Sequence, residues 1–119
     1  MNEIKLAWPH KNLSPNTKCH WTVYYKYAKR AKIEAAWVLR EAELKIPAVC
    51  HLVITFVRND ARRFDLDNAL ASLKSALDGL AEQSGVDDAE WSHQTKKRVD
   101  RSTPYKYVLV QWSVDGDPV

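Results

Sequence analysis

The sequence predicts an α+β fold: one domain spanning residues 1–119, with one mixed β-sheet and two helices packed on it in the order β-α-β-α-β-β. Three observations lead there. The length, 119 residues, suits a single hydrophobic core. The run Ala48-Val-Cys-His-Leu-Val-Ile-Thr-Phe-Val57 is β-branched and aromatic, as in a strand covered on both faces. Leu66, Leu70, Leu73, Leu77 and Leu80 recur at alternating four- and three-residue steps, which is one face of an amphipathic helix.

The elements follow in order. Glu3 to Trp8 alternates, with Ile4, Leu6 and Trp8 on one side, and Pro9 ends this first strand. Residues 9–20 form a loop, with Ser14-Pro15-Asn16 as turn chemistry. A long helical pattern runs from Thr22 to Leu44, its apolar surface supplied by Ala28, Ala31, Ala35, Trp37, Val38 and Leu39, and Pro47 marks its end. After the central strand, Arg58 to Phe64 is a polar, basic loop. The second helix spans Asp67 to Glu82 with Asp67 as its N-cap, and Gly85 breaks the chain. Glu90–Val99 and Tyr105–Val114 are two further strands, with Thr103-Pro104 at the turn between them. Among the five tryptophans, Trp8, Trp37 and Trp112 suit core or dimer anchors, while Trp21 and Trp91 lie nearer the basic side.

Charge is unevenly distributed. Residues 1–48 carry nine Lys/Arg against four Glu, a balance of +5; the remainder carries nine against eleven acids, a balance of −2. Lys26, Lys29, Arg30 and Lys32 make one side of the first helix cationic, which suits an anionic partner as well as a solvated face. Two cysteines, Cys19 and Cys50, form no disulfide framework. The N-terminus has no signal pattern, and no apolar run approaches the ~18 residues of a membrane span. The expectation is a cytoplasmic protein with no membrane partner.

The chemistry-bearing motif is Asp65-Leu66-Asp67-Asn68, preceded by Arg62-Arg63 and followed by Asp87-Asp88. Taken alone, Asp65 and Asp67 at the mouth of a helix fit capping as well as catalysis. A second acidic pair changes the weighing. A hard cation such as Mg²⁺ takes carboxylates gathered from separate segments, and arginine forks suit phosphate. Convergence requires the strand after the helix to fold back beside the helix start. Lys74 lies seven residues after Asp67, about two turns, and therefore on nearly the same face, within reach of a phosphate or leaving oxygen near Asp67.

Three blocks in this order, Arg62-Arg63-Phe64-Asp65-Leu66-Asp67-Asn68, Lys74-Ser75-Ala76-Leu77-Asp78-Gly79-Leu80 and Gly85-Val86-Asp87-Asp88, resemble the RusA family of Holliday junction resolvases, many of them phage or prophage encoded. Trp8-Pro9, Ser14-Pro15-Asn16 and His20-Trp21 are a looser match to the start of such proteins. The resemblance implies a RusA-like fold and a Mg²⁺-dependent endodeoxyribonuclease, with Mn²⁺ as a substitute metal and no small-molecule cofactor. It implies a homodimer that resolves four-way DNA junctions by paired phosphodiester hydrolysis in recombination and repair. Asp65, Asp67 and Asp88 match the family's essential, metal-holding acids, Asp87 a less critical neighbour, and Asn68 a supporting position. The family's catalytic lysine commonly lies three residues after the Asn, which here is Ala71. Read through Lys-x-x-Leu-Asp, the resemblance makes Lys74, roughly 4.5 Å further along the axis, the catalytic lysine that stabilises charge on the transition state or leaving oxygen. Arg62 and Arg63, with Lys26, Lys29, Arg30 and Lys32, are then the phosphate-binding surface. A nuclease for other branched DNA and an inactive junction-binding protein satisfy the same residues.

Overall fold

The computed structural model describes residues 2–113. Its strands are β1 (Asn2–Ala7), β2 (Cys50–Arg58), β3 (Trp91–Val99) and β4 (Tyr107–Trp112); its helices are α1 (Trp21–Glu41), α2 (Leu66–Ser72) and α3 (Lys74–Ser84). Short 3-10 turns occupy Lys11–Leu13 and Asp88–Glu90. The single sheet is mixed, in the order β1-β4-β2-β3. β4 is antiparallel to both β1 and β2, whereas β2 and β3 are parallel, with Cys50 beside Trp91 and Arg58 beside Val99. The predicted last strand reached Val114, which lies outside the described residues; within them it ends at Trp112.

Strand alternation separates the two faces of the sheet. Ile4, Leu6, Leu52, Ile54, Phe56, Val108, Val110 and Trp112 join Ala35 and Leu39 of α1 and Ala76, Leu77 and Leu80 of α3 in one core. Val57, Tyr107 and Leu109 form a smaller cluster on the opposite face. There the Lys5 ammonium lies 4.7 Å from the Tyr107 ring centre, and Arg98 donates to the Tyr107 hydroxyl at 3.3 Å.

The predicted second helix is two helices, so the element order is β-α-β-α-α-β-β rather than β-α-β-α-β-β. Ser72 Oγ donates to the Asn68 carbonyl at 2.8 Å, and a hydroxyl that bonds back four residues competes with the ladder and bends a helix. The Leu73 N–H is shared between the Ala69 and Leu70 carbonyls, which closes α2. The leucine stripe survives the break: Leu73, Leu77 and Leu80 are buried, and Leu66 and Leu70 pack against the same core.

α1 also ends earlier than its pattern suggests. His20 caps it through Nδ1, which accepts from the Thr22 N–H at 3.2 Å. At the other end Glu43 adopts φ 56°, a left-handed conformation that stops the helix and is unusual without glycine. The following segment is tied down by the Ile46 N–H donating to Ser84 Oγ at 2.9 Å and by Trp91 Nε1 donating to the Pro47 carbonyl at 2.8 Å. Trp91 is therefore a core residue, not a surface one, while Trp37 is exposed rather than an anchor of the core. Among the described residues no helix is long and apolar enough to cross a membrane.

Candidate functional site

Three strands finish at one end of the sheet, because β1, β2 and β3 all run opposite to β4. Trp8 follows β1, residues 59–65 follow β2, and residues 100–106 leave β3 and cross the end of β2 to reach β4. Two hydrogen bonds hold the crossing: the Asp100 N–H donates to the Arg58 carbonyl at 2.8 Å, and Asn59 Nδ2 to the Pro104 carbonyl at 3.2 Å.

An aromatic cluster with cations on it occupies this end. The Trp8 ring meets Phe56 and Phe64 edge-on, with centres 5.7 and 5.1 Å apart. The Arg58 guanidinium lies 5.4 Å and the Lys106 ammonium 5.0 Å from the Trp8 ring centre. Arg58 is buried and donates through Nε and Nη2 to the two Asp60 oxygens at 2.9 and 3.3 Å. With the Arg62 N–H also donating to it, the Asp60 carboxyl falls to a pKa of about 2. The Lys106 ammonium is pushed below the ordinary lysine range, first by partial burial and then by repulsion from Arg58 and Arg62. Cations here outnumber the acids that neutralise them, as an anion-binding surface requires.

Asp65 and Asp67 sit at this same end. Asp65, not Asp67, is the N-cap of α2: its Oδ1 accepts from the Asp67 N–H at 2.8 Å and the Asn68 N–H at 3.2 Å. Both aspartates suit a cap by residue type, but the chain enters the helix at Leu66, which leaves Asp67 within the first turn. Asp65 therefore presents one unengaged oxygen, and Asp67 occupies the exposed first turn. Asp65 and Asn68 also line a shallow cavity of about 300 Å³ with Trp8, His10, Lys11 and Asn16.

Asp87 and Asp88 lie elsewhere. They directly precede β3, and the parallel pairing of β3 with β2 puts the start of β3 at the opposite end of the sheet. Lys97 reaches the Phe64 carbonyl beside Asp65; Asp88 lies beyond Trp91, six residues and roughly 20 Å of strand away. The strand does not fold back as convergence within one chain requires. Among the described residues, no three His, Cys, Asp or Glu side chains are grouped to hold a metal ion. Asp87 caps the 3-10 turn by accepting from the Ala89 N–H at 3.0 Å. The carboxylate oxygens suit Mg²⁺ chemically, but the set Asp65, Asp67 and Asp88 fits an ion only if it is shared between copies of the chain.

The remaining predicted residues divide. Arg62 and Arg63 are exposed beside the acids. Lys74 begins α3, beyond the break at Leu73, so the continuous helix assumed for its reach to Asp67 is interrupted. On α1, Lys26, Lys29, Arg30 and Lys32 are exposed. Lys26 and Arg30 lie 5.6 and 5.9 Å from the Tyr27 ring centre, and Lys32 pairs with Glu82 at 2.7 Å. Sequence reasoning did not single out Arg58, Asp60, Lys97 or Lys106. The run Lys96-Lys97-Arg98 was a visible signal, but only the sheet order carries Lys97 to Phe64.

Comparison with known proteins adds one relative and no function. The chain matches no protein-family model. It is similar to an uncharacterized protein of Xylella fastidiosa, 37% identical over 93 residues, the match covering 74% of this chain and 61% of that protein, so the chain spans about three-fifths of its relative's length.

Proposed function

We propose that the chain is a RusA-type, metal-dependent endodeoxyribonuclease that acts as a homodimer on four-way DNA junctions. The observation that carries this reading is the meeting, at one end of the sheet, of the Asp65–Asp67 pair with the cations Arg62, Arg63, Lys97 and Lys106. Carboxylates for a hard cation and unneutralised positive charge for phosphate are both needed to hydrolyse a phosphodiester.

The position of Asp88 assigns a task to the dimer. A two-fold pair that sets the Asp65 end of one copy against the Asp88 end of the other makes two equivalent acidic sites, as the paired nicks of junction resolution require. Mg²⁺ or Mn²⁺, when bound, supplies Lewis acidity toward the phosphate and an activated water. Asp65 and Asp67 hold their oxygens at the mouth of α2, where Asp65 is fixed by its two cap bonds. Arg62, Arg63 and the α1 cations position flanking phosphates without reading bases.

The test is cleavage of a synthetic four-way junction beside a linear duplex, with Mg²⁺ present or withheld. Asp67→Asn should abolish Mg²⁺-dependent cleavage while junction binding persists. Wild-type cleavage rates in Asp67→Asn would sink the assignment. Preferential cleavage of flaps or other branched substrates would redirect it to a different structure-selective nuclease. The separation of Asp88 from Asp65 favours one second reading: a junction-binding protein without cleavage, which predicts tight, Mg²⁺-independent junction binding by a monomer.

A further inference from the structure

We infer that Lys97, on β3, rather than Lys74, is the residue that contacts the scissile phosphate at the Asp65–Asp67 pair; this inference rests on the nuclease reading above. Two contacts hold the Lys97 ammonium in place. It donates to the Phe64 carbonyl at 2.7 Å, and it lies 4.9 Å from the centre of the Phe64 ring. Phe64 immediately precedes Asp65, so the charge sits one peptide from the N-cap of α2. The carbonyl takes one of three ammonium protons, which leaves two donors for an anion. Among the described residues, no carboxylate lies within ion-pair distance of Lys97, so its charge is not neutralised by a neighbour.

The alternatives along α2 are weaker on geometry. Position 71 carries alanine, and that side chain borders a hollow made with Trp21, Tyr24 and Tyr25 of α1. Lys74 starts a separate helix past Leu73 and has no contact that directs it toward Asp67. β3 packs against α2, and its helix-side row Trp91, His93, Thr95, Lys97 and Val99 brings Lys97 to Phe64, the residue before Asp65. A lysine from a strand fixed by the sheet is better pre-organised than one reaching back across a helix break. In the reaction Lys97 would offset the negative charge that builds on the non-bridging phosphate oxygens as water attacks and the leaving 3′ or 5′ oxygen departs; its proton stays on nitrogen.

Lys97→Met, Lys97→Arg and Lys74→Met test this in single-turnover cleavage of a four-way junction, with junction affinity measured in Ca²⁺. Lys97 is exposed, so each variant should fold, and thermal melting checks that it does. If the inference holds, Lys97→Met loses about 100-fold or more in cleavage rate while affinity changes by less than about tenfold. Lys97→Arg keeps part of the rate, and Lys74→Met stays near wild type. A wild-type protein that cleaves while Lys97→Met stays within threefold of it overturns the role of Lys97 and leaves the nuclease reading standing. A wild-type protein that cleaves no DNA with Mg²⁺ or Mn²⁺ overturns both.

Discussion

Gly79→Ala should destabilise this protein, although alanine is the better helix former. Gly79 lies on α3 where it crosses α1, and it is buried. A Cβ built there falls 2.2 Å from the Lys32 carbonyl oxygen, 3.0 Å from that carbonyl carbon and 3.1 Å from the Lys32 Cα. Carbon and carbonyl oxygen ordinarily meet at about 3.3 Å, so the deficit is roughly 1 Å. The obstacle is α1 backbone, which has no rotamer to change, so the helices must part. Parting by that much loosens Ala35 and Leu39 against Ala76 and Leu80, and a gap of this size forfeits a quarter to a half of each contact's attraction. Overpacking of this kind costs about 3 kcal/mol, and helix propensity returns about 1, for a net loss of about 2 kcal/mol. In a domain of this size that lowers Tm by about 8 °C. Urea denaturation followed by tryptophan fluorescence measures it. Gly85→Ala is the control: φ is +75° there and nothing lies within 4 Å, so only left-handed strain remains, about 1 kcal/mol. If Gly79→Ala proves as stable as wild type or more so, propensity has outweighed packing and the α1–α3 contact is looser than described.

Four further outcomes are expected. Glu43→Gly should raise stability by about 1 kcal/mol in the same urea assay, because glycine adopts the 56° φ without strain. Asp65→Ala should cost about 1 kcal/mol through two lost cap bonds, whereas Asp67→Ala should stay within about 0.5 kcal/mol of wild type, so only the first should shift the melting curve. Stability should also carry an acid limb from Asp60, whose carboxyl is lowered from 3.8 to about 2 by Arg58. That contribution is complete above pH 3.8 and vanishes as pH falls through about 2, so melts of wild type and Asp60→Asn should converge across that window and stay apart above it. Lys97→Met should separate cleavage rate from junction affinity as set out above.

The local pattern carried much of the fold. The apolar run at β2 and the leucine stripe of α2 and α3 owe their burial to alternation and helical spacing, both written along the chain. The helix break was not legible, because it turns on whether the Ser72 hydroxyl faces water or the Asn68 carbonyl. The cap shifted from Asp67 to Asp65 because both residue types suit that position and only the entry conformation chooses between them. The sheet order, which inserts β4 between β1 and β2, is a non-local choice that strand spacing does not encode. The same choice decides the site. It brings Lys97 to Phe64, and through the parallel β2–β3 pairing it sends Asp88 to the far end. Trp91 looked like a surface aromatic beside charged neighbours, yet its indole N–H finds the Pro47 carbonyl, a partner 44 residues away in sequence.

β3 is also one of the two margins of the sheet, and from Ser92 to Val99 its side chains are almost all exposed, with Lys96, Lys97 and Arg98 in succession. Pairing two copies of the chain along that margin would crowd these cations together, a repulsion that opposes edge-to-edge association. The charge run thus protects the free protein from self-association there. Removing all three cations should therefore leave a chain that aggregates more readily.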